Sequence, residues 1–109
     1  MRNVRSKVRK LLNGIIEDPN VVEYFAEMAR YCVRNDIHEF DIVIQRDLYP
    51  ILAKKYDKPT SSIEKELISV LKKEWGNMDI ELYKERFNYN SKPTVRKLLI
   101  LILRNIKSN

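Results

Sequence analysis

A chain of 109 residues, of which 44% are hydrophobic, is long enough to bury one modest core, so we expect a single globular domain that needs no metal or disulfide. Two glycines and four prolines leave little material for hairpins or glycine-rich phosphate loops, and no period-two alternation persists, which argues against a sheet. The formal net charge of +6 favours an anionic partner, and the single cysteine, Cys32, excludes an internal disulfide.

No secretory signal is expected in this chain, and its longest apolar run, at 98–103, is far too short to cross a bilayer. A lone cysteine is typical of a reducing compartment. These features predict a cytoplasmic protein that does not engage a membrane.

Basic residues are concentrated at the two ends of the chain. Before residue 17 there are five Lys or Arg and no acid, and residues 86–109 hold six with no acid. Residues 17–53 invert this balance, with eight acids and three bases, so we expect them to face away from a polyanion. Residues 54–75 recover six lysines against four acids, which suits a DNA-facing element with basic flanks. The alternative interpretation of each basic end is an ordinary solvated surface.

The apolar spacing predicts an all-α fold of six helical elements, the first two of which precede residue 37. An amphipathic first helix begins near Val4 and is ended by Gly14 and Pro19. Asn20 is the expected N-cap of the second helix, which closes at Asn35.

The remaining elements follow a short joint. A third helix is predicted at 40–46, and Pro50 suits the first turn of the fourth. After the fifth helix, a short helical turn at 80–87 leads to a last helix that Pro93 and Thr94 open. This last helix is apolar almost all round, which indicates either the central core helix or part of a dimer contact.

Residues 48–75 have the pattern of a helix, a tight break at 57–59 and a second helix, which is the pattern of a helix-turn-helix. The hydroxyls at 60–62 are expected to cap the second helix, with Glu64 as the acidic half of a capping box. Its buried face is predicted to hold Ile63, Leu67, Val70 and Leu71. Its other face offers short polar and long basic groups suited to base edges and phosphates, namely Ser61, Ser62, Glu64, Lys65, Ser69 and Lys72.

The run Leu-Tyr-Pro at 48–50, followed by Ile-Leu-Ala-Lys-Lys-Tyr at 51–56, resembles the LYPxIAKK(F/Y) run of one bacterial family, displaced by one residue. That family is the DNA-binding effector domain of the sporulation response regulator, stage-zero sporulation protein A. Further similarities are Ser61-x-x-Glu64 and Trp75 in its recognition helix, Asn35-Asp36-Ile37 at the end of an earlier helix, and Lys92-Pro93-Thr94 before its last helix. The resemblance covers about residues 24–106 and implies a compact six-helix domain of the winged-helix-like superfamily, without a sheet.

In the family the recognition helix makes most base and phosphate contacts, and the match at these positions is uneven. Ser61 and Glu64 match, whereas Lys65 replaces an arginine and keeps the charge without the bidentate fork. Ser62 and Ile68 stand where members of that family generally have arginines. Ile68 either touches a thymine methyl or is buried by a slight roll of the helix, and we expect burial. No receiver domain is expected in this chain, so phosphorylation control is not carried over.

Enzymatic chemistry finds little support in the sequence. One histidine, His38, and Cys32 provide no catalytic triad or metal-ligand set, so we expect no catalytic residue, no metal and no cofactor. Cys32 lies on an apolar helical face and is expected to be an inert buried thiol. The aromatic residues are expected to seal the core rather than stack on single strands; they are Tyr49, Tyr56, Trp75, Tyr83, Phe87 and Tyr89.

The sequence therefore predicts a transcriptional regulator that binds double-stranded DNA and docks the helix at 60–75 in the major groove. The base-facing set includes Thr60, and the expected phosphate anchors are Lys54, Lys55, Lys58 and Lys72. By the resemblance, residues 78–106 are the candidate self-association surface, and no small-molecule substrate is indicated. The alternative is an adaptor or antagonist that no longer binds DNA and engages a protein through its acidic second helix or its apolar last helix.

Overall fold

Apolar residues at helical spacing produce six α-helices and no β-strand across residues 3–107, the part of the chain that the computed structural model describes. The all-α prediction is therefore confirmed. Arg2, counted above in the basic N-terminal run, lies outside the described residues. The helices are α1 (Val4–Leu12), α2 (Pro19–Arg34), α3 (Tyr49–Tyr56), α4 (Thr60–Asn77), α5 (Ile80–Phe87) and α6 (Val95–Lys107).

In the link between α1 and α2, Gly14 ends the first helix and Asp18 caps the second. Gly14 takes a left-handed backbone with φ of +84°, which a helix cannot continue through, so α1 ends before it as predicted. The cap of α2 is Asp18, whose carboxylate accepts from the backbone N–H of Asn20 at 2.9 Å and Val21 at 3.1 Å. The prediction of Asn20 as the cap is wrong, because Pro19 occupies the first helical position and the cap is the residue before Pro19.

No α-helix forms at 40–46, which corrects the predicted third helix. A 3₁₀ turn covers Glu39–Asp41, and a single π-helical turn at Ile44–Leu48 leads directly into α3. Between them the backbone of Ile42 and Val43 is extended, with burial alternating along the chain. The β-branched run at 42–44 has restricted side-chain rotamers in a helix and fits extended backbone better.

The last helix lies at the centre of the core. Every residue of α6 from 98 to 103 is buried, and the helix packs against α1, α2, α4 and α5. Of the two predictions for this helix, the central core helix is therefore correct for residues 98–103, because other parts of the same chain bury these side chains. The fold is compact, with a radius of gyration of 13.0 Å.

Aromatic residues close the core, as predicted. The ring of Tyr83 is fully buried and packs edge-on against Trp75, with ring centroids 5.6 Å apart. Tyr24 and Tyr56 make a similar edge contact at 5.1 Å. These pairs join α4 to α5 and α2 to α3.

A buried carboxylate fastens α4 to the start of α2. Glu74 is 7% exposed, and its Oε2 accepts from the backbone N–H of Glu17 at 2.7 Å and of Asp18 at 3.3 Å. Because Asp18 is itself the N-cap of α2, one side chain fixes both the entry of α2 and the far half of α4.

None of the helices within residues 3–107 has the length and apolar character needed to span a bilayer.

Candidate functional site

The turn between α3 and α4 is three residues long and is held by backbone hydrogen bonds. Asp57 adopts a left-handed backbone, with φ of 54°, and the N–H of Lys58 bonds the carbonyl of Ala53 at 3.0 Å, which ends α3. Pro59 is the first residue outside α4, and its carbonyl accepts from the N–H of Ser62 at 3.0 Å. The break predicted at 57–59 is confirmed.

The predicted hydroxyl cap of α4 is wrong. Because Pro59 occupies the cap position, Thr60, Ser61 and Ser62 fall inside the first helical turn, and no side chain caps the helix. Glu64 therefore has no capping box to complete. Its carboxylate instead accepts from Nε2 of Gln45 at 3.0 Å, which joins α4 to the π-helical turn before α3.

Four exposed residues of α4 form one continuous stripe along the helix. Ser61, Lys65, Ile68 and Lys72 follow one another at intervals of four, three and four residues, so they share a face. We call these four residues the α4 stripe. It lies opposite part of the buried face and points to solvent.

The prediction that Ile68 is buried is wrong. Its side chain is 54% exposed, since it lies about 100° around the helix from the fully buried Leu67. The core face of α4 is instead formed by Ile63, Leu67 and Leu71, with Val70 half-buried at its edge.

The other predicted base-facing residues lie beside the stripe. Ser62 and Ser69 are exposed on its flank, and Thr60 is exposed at the start of the helix. Glu64 is half-buried on the opposite flank, where Gln45 holds it.

The predicted phosphate anchors divide into two groups. Within residues 3–107, no carboxylate pairs with the anchors Lys54 and Lys72 or with the base-facing Lys65, and all three are exposed. Lys55 and Lys58 are instead held by the chain's own acids, at 2.9 Å from Glu27 and 3.2 Å from Glu66. These two lysines are less available to phosphates than the sequence predicted.

The network around Lys58 connects α2, α4 and the turn between α3 and α4. Its Nζ lies 3.1 Å from the hydroxyl of Tyr24, which also donates to Glu66 at 2.7 Å. Hydrogen bonding to Tyr24 and then to Glu66 raises the pKa of Lys58 above its ordinary value. The turn that orients α4 is thereby fixed to α2.

Glu27 is surrounded by three cations from α1, α2 and α3. Its carboxylate is 2.9 Å from Lys55, 3.0 Å from Arg5 and 3.7 Å from Arg30. Burial raises the pKa of Glu27, but the hydrogen bonds from Lys55 and Arg5 outweigh it and leave the pKa below its ordinary value. This cluster sets the position of α3 and, through the short turn, of α4.

A pH dependence of stability follows, because two further glutamates behave in the same way. Bonds from Arg9 lower the pKa of Glu23, and bonds from Arg104 lower that of Glu39. A depressed pKa gives stability that is complete above the unfolded-state value, about 4.3 for glutamate, and is lost as the pH falls through that value towards the folded ones. We expect a flat melting temperature from about pH 6 to 8 and a decline below about pH 4.5. Calorimetry of the protein beside Glu27→Gln checks this, and an equally steep acid decline in the variant would contradict the role of Glu27.

An open apolar groove runs beside α4. Its volume is about 630 Å³, and its walls are α4, the segment at 42–45 and the entry to α6 at 92–96. Ile68 of the stripe and Val43, which is 43% exposed, form its apolar lip. Lys72 lies on its border.

The groove brings in two basic residues that sequence reasoning did not select as site residues. Lys92 and Arg96 line it together with Lys72, so the basic C-terminal run reaches the flank of α4. Arg96 is oriented by its bonds to the carbonyl oxygens of Glu39 at 3.1 Å and Ile42 at 3.4 Å. The excess of bases after residue 86 was a signal for them, but only the fold places them beside α4.

Cys32 and His38 each have a defined place in the fold. Cys32 is fully buried, and burial raises the pKa of its thiol to about 11. His38 accepts from the N–H of Phe40 at 3.2 Å and stacks on its ring. Across residues 3–107 no group of three or more His, Cys, Asp or Glu side chains is arranged to hold a metal ion.

No protein-family model, no curated protein and no solved structure matches this chain.

Proposed function

We propose that this protein is a sequence-specific regulator of transcription that binds duplex DNA, with α3 and α4 as a helix-turn-helix and α4 in the major groove. The observation that carries the proposal is the α4 stripe, an exposed row of polar, basic and apolar groups in which Lys65 and Lys72 have no carboxylate partner within residues 3–107.

The dimensions of the helix suit this role. An α-helix with its side chains is about 10–12 Å across, and the major groove is about 12 Å wide, so the stripe would lie against base edges. Ser61 can donate to or accept from a base, and Ile68 can contact a thymine methyl. The stripe therefore offers direct readout as well as charge.

Charge beside the helix supports the same proposal. Lys92 and Arg96 lie along one side of α4, and Lys54 extends from α3. Contacts of such residues, and of Lys65 and Lys72 in the stripe, to the DNA phosphates would position the protein on the duplex, while Ser61 and Ile68 read the bases. The α3–α4 turn is braced by the Lys58 and Glu27 clusters, which would hold α4 in one orientation.

A selection of random duplexes by the purified protein tests the proposal. We expect an enriched motif, bound with an affinity that falls steeply between about 50 and 200 mM salt, since several cations would release counterions on contact. Absence of binding at low salt, or affinity that is independent of salt and sequence, would contradict it.

A second candidate function is an adaptor that binds a protein instead of DNA. The observation in its favour is the exposed Ile68 beside the apolar groove, at a position where the DNA-binding family that the sequence resembles generally has arginine. The two surfaces first expected for such a partner are occupied within the chain. The apolar residues of α6 are buried, and Glu23 and Glu27 of α2 are paired with basic residues.

Arginine substitutions distinguish the two candidates. Ser62→Arg and Ile68→Arg are each expected to leave the melting temperature nearly unchanged, because both positions are exposed. If α4 lies in a major groove, each should tighten binding to operators of the sporulation family by about tenfold, since a guanidinium gives a bidentate donor to guanine or phosphate. Fluorescence anisotropy with labelled duplexes measures this. Variants that fold and gain nothing on any such duplex would refute the docking of α4.

A further inference from the structure

We propose that the groove beside α4 binds an acidic amphipathic helix of a partner protein, and that the bound helix excludes duplex DNA from α4. The exclusion rests on the function proposed above, whereas the binding of the helix does not.

The groove differs from an ordinary surface depression in its apolar lip. Val43 is 43% exposed and Ile68 is 54% exposed, and they face a cleft floored by the buried residues Ile42, Ile44 and Leu71. Large aliphatic side chains left in water beside an apolar cleft commonly mark a binding groove. The exposed lip makes this an open site, which suits the apolar face of a helix better than an enclosed small molecule.

The charges around the groove select the partner's chemistry. Three cations, Lys72, Lys92 and Arg96, line it. The only acid among its lining residues is Glu64, which Gln45 already engages at 3.0 Å. A segment with acidic residues flanking its apolar anchors would therefore meet complementary charge along the cleft, whereas a basic segment would be repelled.

Competition with DNA follows from shared residues. Ile68 and Lys72 belong both to the α4 stripe and to the groove lining. A helix seated on them would cover two of the four stripe residues and place its acids where phosphates would lie. Partner and duplex would therefore bind one at a time.

The probe is a displayed library of 16-residue helices with leucine at four positions spaced i, i+3, i+4 and i+7 and with Glu, Lys or Ser at the flanking positions. Selection on the folded protein is expected to enrich Glu at the flanks. The best peptide, synthesised and labelled, should lose about tenfold or more in affinity on Ile68→Ser or Val43→Ser, since each removes buried aliphatic area. Ile80→Ser is the matched control, because Ile80 is an aliphatic residue of α5, 36% exposed and outside the groove.

Charge is tested separately. Lys92→Glu should weaken the acidic peptide about tenfold and strengthen a version with Lys flanks, whereas Lys84→Glu on α5 should change neither. If the selection yields no peptide that depends on Ile68 and Val43, or if the enriched flanks are neutral or basic, the proposal is wrong. Ile68-dependent association of the protein with itself in sedimentation, without peptide enrichment, would assign the groove to a second copy and overturn it.

Exclusion is measured last, by adding the peptide to a protein–duplex complex. Release of the duplex that fails with Val43→Ser, a groove residue outside the α4 stripe, supports exclusion, and a ternary complex refutes it while leaving peptide binding in place. If the protein binds no duplex at all, the proposed function fails, and the peptide measurements still decide the occupant of the groove.

Discussion

Replacing Lys65 and Lys72 together by glutamate is expected to lower the affinity for duplex DNA by about a hundredfold at moderate salt, because two phosphate contacts are lost and two repulsions are added. The salt dependence should weaken at the same time. Each lost phosphate contact reduces the slope of log affinity against log salt by about 0.9, so the double variant should lose about 1.8. Anisotropy titrations at several salt concentrations give both quantities.

The matched control is the pair Lys73→Glu and Lys84→Glu, which changes the net charge equally. Both side chains are exposed, but Lys73 lies off the α4 stripe and Lys84 is on α5. The control should lose far less affinity and keep its salt slope. An equal loss in the control would show that binding is attraction to net charge, and the stripe would no longer be the interface. None of the four lysines pairs with an acid within residues 3–107, so both double variants should melt near the parent temperature.

The helical framework was accessible from the sequence because local signals dominate it. Proline at 59, the left-handed Asp57 and the apolar spacing of α4 act within a few residues of each other, and the break and both flanking helices lie where expected. The helix predicted at 40–46 is wrong for a local reason too. The segment holds the β-branched residues Ile42, Val43 and Ile44, which favour extended backbone over a helix.

The site was less accessible because it depends on contacts between distant residues. Lys55 and Lys58 have the spacing of phosphate anchors, but their acids, Glu27 and Glu66, are chosen by the packing of α2 against α3 and α4. No helical periodicity links position 27 to position 55. Charge in the sequence therefore overstated the number of lysines available at the surface of the site.

The exposure of Ile68 also could not be predicted from the sequence, because it depends on how distant residues pack. Its isoleucine side chain favours burial in any count of hydrophobic residues, yet it lies at the edge of the α4 core face and borders a groove. The opposite wall of that groove comes from residues 92–96, more than twenty positions away. An apolar residue at the edge of a helical face can be assigned to core or surface only when the neighbouring elements are placed.

Glu74→Ala is expected to destabilise the protein by about 2–3 kcal/mol, because it leaves the backbone N–H groups of Glu17 and Asp18 without their buried acceptor. For a domain of this size that corresponds to a fall of roughly 10 °C in melting temperature. The effect should spread to α2, since Asp18 is its N-cap. Hydrogen exchange should show faster exchange at the amides of 17, 18, 20 and 21 in the variant.

Two controls separate the lost acceptor from other consequences of the substitution. Glu74→Gln keeps a carbonyl oxygen at the same place and should lose about half as much stability, because a neutral acceptor bonds more weakly than a carboxylate. Glu85→Ala removes an exposed glutamate on α5 and should remain within about 0.5 kcal/mol of the parent. If Glu74→Ala melts like Glu85→Ala, water replaces the carboxylate at the two amides, and the attachment of α4 to the start of α2 has no energetic role. Glu74→Ala can also be tested for duplex binding. If it weakens binding in proportion to its lost stability, the bonds of Glu74 at the far end of α4 are needed to hold the α4 stripe in one orientation.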